Sequence, residues 1–129
     1  MTSGAEPGAA HFPGRAPIDA YGNGGFRFAD MSHRGSLLCL PSGIYGWAAE
    51  DLGSLSAEDF SRPLEEAQEI RILLVGTGPT LKPLPTELRQ VLKEAGMAVE
   101  VMSTGAAVRT YNVLLAEERA VAAALIAVD

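Results

Sequence analysis

The sequence predicts an α/β protein whose first half is an antiparallel β-meander and whose second half runs β-helix-β-helix. Residues 70–75 carry the first sign: Ile70-Arg71-Ile72-Leu73-Leu74-Val75 is almost continuously apolar, as a strand covered on both faces should be. That run stops at Gly76-Thr77-Gly78-Pro79, a glycine-rich turn of the kind found at the carboxyl end of α/β sheets, where ligands bind. A helical pattern and a second apolar run follow. This spacing makes the two strands parallel, neighbours or near-neighbours, with a right-handed crossover.

Each element has its own local reason. Residues 1–17 are small, Gly- and Pro-rich and lack the apolar core of a signal peptide, so they read as a flexible tail before a single domain over 18–129. Residues 18–21 suit a short strand, and Asn23-Gly24-Gly25 is a strong turn signal. Phe26-Arg27-Phe28 alternates as a half-buried strand does. A second turn is expected at Ser32-His33-Arg34-Gly35, a strand over 36–40, a break at Pro41-Ser42-Gly43, and a strand through Ile44-Tyr45-Gly46-Trp47. Tyr45 and Trp47 share one face and suit either core packing or an exposed partner-binding patch.

Ser56 followed by Glu58 and Asp59 marks a helix start, with carboxylates where the helix dipole favours them. Pro63 should divide this segment into two short helical pieces ending near Gln68. Glu65, Glu66 and Glu69 read as a solvated face, since nothing apolar surrounds them to raise a carboxyl pKa. A helix is expected from Pro85 to Ala95, with Leu88, Val91 and Leu92 as its buried stripe and Gly96 as its stop. Residues 97–102 form the second strand. From Thr104 onward the chain reads as mainly helical, with Leu114, Val121, Leu125 and Val128 on one stripe and Ala120 and Ala124 allowing close packing.

Composition narrows the function. The hydrophobic fraction of 47% over 129 residues is that of a globular domain, and no run approaches the ~20 apolar residues of a membrane span. A net charge of −6 without a basic cluster argues against nucleic-acid binding. One cysteine, Cys39, excludes an internal disulfide and fits a reducing compartment, hence the cytoplasm. Its apolar neighbours make it a buried, inert thiol. His11 and His33 lack a second ligand at metal spacing, so no metal site is expected.

Gly76-Thr77-Gly78 invites a dinucleotide-binding reading, but position 81, where the third glycine of the motif would fall, is Leu81. Pro83 and Pro85 also push the helix start well past the turn, away from any phosphate held there. No cofactor is therefore expected. Position carries more than motif here. The loops after the two parallel strands emerge at one sheet edge, so Gly76, Thr77, Gly78 and Pro79 should face Thr104, Arg109, Thr110, Tyr111 and Asn112 across a small cleft. Polar groups with one cation beside a helix N-terminus suit a small anion or a backbone carbonyl. Alternatively, Thr104 caps the helix while Arg109 and Asn112 satisfy loop carbonyls.

Taken in order along the chain, several pieces resemble one family. They are Tyr21 with Gly25-Phe26, Leu40-Pro41, Trp47, Glu69-Ile70, Val75-Gly76-Thr77-Gly78 and Gly96. The series continues through Ala98-Val99-Glu100-Val101, Thr104 with Ala107, Thr110-Tyr111-Asn112 and Ala123-Ala124-Leu125-Ile126. Together they are similar to the small single-domain family that includes mitochondrial complex I (NADH dehydrogenase) assembly factor 3 and the adipogenesis-associated domain protein. The resemblance implies a three-layer α/β sandwich with a mixed central sheet and an additional antiparallel β-layer from the first half. It implies no established enzymatic activity, and protein partners among respiratory-complex subunits or maturation factors. Without a transit-peptide-like start, the chain reads as a free-standing bacterial member. A soluble interaction or assembly factor is the leading expectation; a small-molecule or anion-binding domain, or an unrecognised enzyme using the cleft, is the alternative.

Overall fold

Residues 11–129 are described by a computed structural model. Strands β1 (Ala20–Gly22), β2 (Gly25–Phe28) and β3 (Met31–Arg34) form a three-stranded antiparallel sheet. Its first hairpin turns at Asn23 and Gly24, both at positive φ (52° and 80°), as the Asn-Gly signal requires. The second turns at Ala29 and Asp30, also at positive φ (49° and 62°), and residues 32–34 are strand. The turn expected at Ser32-His33-Arg34-Gly35 is thus misplaced. Ala29-Asp30 carries no glycine to announce a left-handed backbone, and the cross-strand pairs Phe26–His33 and Phe28–Met31 set the register instead.

Gly35 then redirects the chain into the central sheet, whose order is β5-β4-β8-β6-β7. Strands β4 (Ser36–Leu40) and β5 (Gly43–Trp47) form a hairpin on one side. Strand β6 (Ile72–Gly76) pairs parallel with β7 (Ala98–Met102), as the β-helix-β spacing predicts, and parallel on its other side with β8 (Val121–Leu125). Because β4 runs antiparallel to β8, the sheet is mixed. The protein is an α/β sandwich.

Alternation splits the core in two. Leu38, Leu40, Leu73, Val75, Ala122 and Ala124 point to the face covered by α2 (Thr86–Glu94) and by the short helical turns at Ala57–Phe60, α1 (Ser61–Glu65) and Ala67–Glu69. Leu37, Cys39, Ile44, Leu74, Ala123 and Leu125 point the other way, toward Phe26, Phe28 and helix α3 (Thr104–Ala116). Along α2, Leu88 and Leu92 are buried, whereas Val91, expected in the stripe, is 37% exposed. Pro85 is the N-cap of α2 rather than its first residue, and Gly96 takes φ 96° just past its end.

The final segment corrects the sequence reading. Helix α3 stops at Ala116, Glu118 reverses the chain at φ 60°, and residues 121–125 form the middle strand of the sheet. All five residues of Val121–Leu125 are buried, so the strand shows no alternation, and alanine-rich Val-Ala-Ala-Ala-Leu looked like continued helix. Residues 11–17 differ as well. Ile44 N–H donates to the Phe12 carbonyl (2.9 Å) and the Ile44 carbonyl accepts from His11 N–H (2.8 Å), so this strap lies along β5. Ala16 is buried, and the His11 ring packs on His33 with centroids 4.8 Å apart. The part of the expected tail at residues 1–10 lies outside the described residues.

Candidate functional site

Strands β6, β7 and β8 are parallel, so their carboxyl ends meet at one edge, and the loops there bound a cleft of about 390 Å³. Its lining includes Tyr21, Gly78, Pro79, Ser103, Gly105 and Arg109. Of the residues expected to converge, Gly78, Pro79 and Arg109 do face this space. The others lie beneath it or away from it, each for a definite reason.

Thr104 is wholly buried. Its N–H donates to the Gly78 carbonyl (2.8 Å), its Oγ1 accepts from Gly78 N–H (3.0 Å), and its hydroxyl donates to the Ile126 carbonyl (2.7 Å). One side chain therefore ties the β6 loop to the end of β8. The contact is so close that a Cβ on Gly76 would stand 2.9 Å from Thr104 Cα, and Gly78 itself holds φ 107°. Steric approach at Gly76 and a left-handed backbone at Gly78 account for the two glycines of Gly76-Thr77-Gly78. Thr77 donates its hydroxyl to the Thr80 carbonyl (2.7 Å) and accepts from Lys82 N–H (3.0 Å), which folds the following loop.

Ser103, rather than Thr104, is the N-cap of α3, accepting from Ala106 N–H at 3.3 Å. With Thr104 N–H bound to Gly78 and Ala107 N–H to the Ser103 carbonyl (2.9 Å), the first turn has one amide left, that of Gly105. Tyr21 covers Gly105 so closely that a methyl group there would meet the Tyr21 ring. The helix N-terminus is thus mostly used up by the protein itself, which weakens the case for an anion at that point.

Asn112 faces away from the cleft. Its Oδ1 accepts from Ile18 N–H and its Nδ2 donates to the Ile18 carbonyl, both at 2.8 Å, so it holds the segment entering β1 as a neighbouring strand would. Tyr111 is buried against Cys39. Burial pushes the Cys39 thiol up to about 12, the hydrogen bond with Tyr111 offsetting part of the rise, and burial lifts the Tyr111 phenol further still. Thr110 is half-buried on α3 and does not line the cleft. Arg109 is exposed and, among the described residues, makes no hydrogen bond or ion pair. Tyr21, which motif reasoning did not place at the cleft, is brought there by β1.

Tyr45 and Trp47 do not form an exposed patch. Both are buried, at 8% and 9% exposure, beneath the helical segment. Trp47 Nε1 donates to the Asp59 carbonyl (2.8 Å) and its ring meets Phe60 edge-on at 5.3 Å. Ser42 donates its one hydroxyl proton to Glu66 (2.6 Å), so the Tyr45 hydroxyl donates to Ser42, and Arg62 lies 4.1 Å over the Tyr45 ring. Packing is their role, and Glu66, expected on a solvated face, is part of it. Among the described residues no His, Cys, Asp and Glu cluster could hold a metal ion, and no helix is long and apolar enough to cross a membrane.

A mixed five-stranded sheet with a three-stranded antiparallel sheet beside it defines the class as an α/β sandwich. The chain belongs to the family described as Protein of unknown function (DUF498/DUF598), which matches residues 18–126. It is 42% identical over 122 residues to an uncharacterized protein of Rhodobacter capsulatus, covering 94% of this chain and 90% of that one. To mouse NADH dehydrogenase [ubiquinone] 1 alpha subcomplex assembly factor 3 it is 32% identical over 117 residues, 91% of this chain. It spans 63% of that factor's length. A Bartonella henselae crystal structure, described as an outer membrane protein, superposes with a TM-score of 0.89 at 65% identity, covering 92% of this chain and all of that one.

Proposed function

We propose that this chain acts as a non-enzymatic interaction factor that assists assembly of the respiratory NADH dehydrogenase, working in the cytoplasm on subunits or maturation factors of that complex. The relationship to assembly factor 3 over nearly the whole chain carries this reading. It is supported by what three polar side chains expected in the cleft do: Thr77, Thr104 and Asn112 spend their hydrogen bonds on the protein's own backbone. A single cysteine permits no internal disulfide, as suits a reducing compartment. A deletion strain tests it. Native gels of membranes should show less assembled NADH dehydrogenase, restored by the plasmid-borne chain. Normal assembly in the deletion strain would refute the proposal.

A second reading rests on one observation, Arg109 at the mouth of the cleft, unpaired among the described residues. Under it a small anion or carbonyl compound binds there. Arg109→Ala would then abolish ligand-induced thermal stabilisation while leaving the unliganded melting temperature unchanged; a metabolite screen without a stabilising ligand removes its support.

A further inference from the structure

The two edges of the central sheet are treated differently. At β5 the strap through His11 and Phe12 bonds to Ile44 and covers the edge. At β7 the only pairing partner among the described residues is β6. Ala98 N–H donates to the Arg71 carbonyl and the Met102 carbonyl accepts from Thr77 N–H, both at 2.9 Å. Ala98, Glu100 and Met102 therefore turn their backbone groups toward β6. Consecutive residues of a strand bond to opposite sides, so Val99 and Val101 aim their N–H and C=O groups outward.

A groove of about 460 Å³ runs along this row, floored by Val99, Glu100 and Val101 and walled by Leu81, Pro83 and Arg89. Leu81 is 64% exposed, the most of any large apolar residue described, and Val99 and Val101 pack only in part against the core on the α2 face. Arg89 is exposed and has no ion pair among the described residues. An edge this apolar is one that proteins ordinarily cover or blunt. Here the only blunting charge in the strand is Glu100.

We infer that the free edge of β7 docks an extended segment of a partner protein, apolar at alternate residues and carrying a carboxylate that reaches Arg89. Such a segment would add a sixth strand through Val99 and Val101 and lay its apolar side chains against Leu81 and Pro83. A second copy of this chain fits less well. The antiparallel register that sets Val99 opposite Val101 sets Glu100 directly against its twin. The site rests on the reading of the chain as an interaction factor and names the surface that would serve it.

The test uses the full ¹⁵N-labelled chain titrated to about 2 mM with the capped peptide Asp-Thr-Val-Thr-Val. Amide shifts should centre on residues 98–102, with exchange at Val99 and Val101 slowed about tenfold. Replacing the peptide's Asp by Lys should weaken binding about fivefold, and Arg89→Glu should reverse that preference. No shift at Val99 and Val101, or equal binding of both peptides, would overturn the proposal. So would a dimer in light scattering that Leu81→Lys abolishes, since the occupant would then be a second copy. Binding with normal NADH dehydrogenase assembly in the deletion strain would keep the docking site and remove the assembly reading; impaired assembly without peptide binding would do the reverse.

Discussion

At the scale of single residues, Thr104 does the most work. Its hydroxyl and amide join two loops from strands that are distant in sequence, and both bonds of the hydroxyl are buried. Thr104→Val keeps the shape but orphans the Gly78 N–H and Ile126 carbonyl, so we expect a loss of about 2 kcal/mol in chemical denaturation, largely restored by serine. The sequence marked Thr104 as part of the site but cast it as a helix cap. Only the β6–β8 pairing puts the Ile126 carbonyl within its reach. Cys39 gives a second expectation. A thiol whose folded pKa exceeds its unfolded value favours the folded state while neutral. That stabilisation is whole below the unfolded value near 9 and is lost as pH rises toward about 12. The melting temperature should fall across this window, and Cys39→Ala should flatten the slope, measured by circular dichroism. Tyr45 and Trp47 were legible as large apolar anchors, but whether they faced solvent depended on a helical segment that their own neighbours do not specify.

At the scale of elements, β8 decides the architecture. It lies between β4 and β6 and must be covered on both faces, so Ala122, Ala123 and Ala124 are fully buried. Ala123 shares its side of the sheet with Ala107, Val108 and Tyr111 of α3. Ala123→Leu would force α3 outward, and we expect a loss of about 1–3 kcal/mol, read from urea unfolding. The strand was not recognisable from sequence because alanine favours helix locally, and burial on both faces erased the alternation that marks a strand. The chain reversal before it was hidden too, since Glu118 takes φ 60° where a glycine would have announced it. By contrast β6, α2 and β7 were legible, because each combines a clear apolar pattern with proline or glycine at its ends.

For the whole molecule, the strap at residues 11–17 matters more than its composition suggested. It bonds to Ile44, buries Ala16 and packs His11 against His33. A chain beginning at Ile18 should lose about 1–3 kcal/mol of stability and self-associate through the bared β5 edge, as light scattering would show. Family membership places the domain among relatives of an assembly factor, and among the described residues its two sheet edges differ, one strapped and one without a second pairing partner. The sequence by itself determined the α/β class, the parallel β6–β7 pair, the glycine turn after β6 and the late start of the helix that follows it. These rest on periodicity and on the backbone limits of proline and glycine, which act over a few residues. Only the tertiary structure decided that residues 121–125 are the central strand, that Asn112 and Thr104 serve the backbone, and that among the described residues β7 pairs on one side alone. Those outcomes depend on which strands pair across long stretches of chain, and pairing energy overrides the weak local preferences of alanine and of small polar residues.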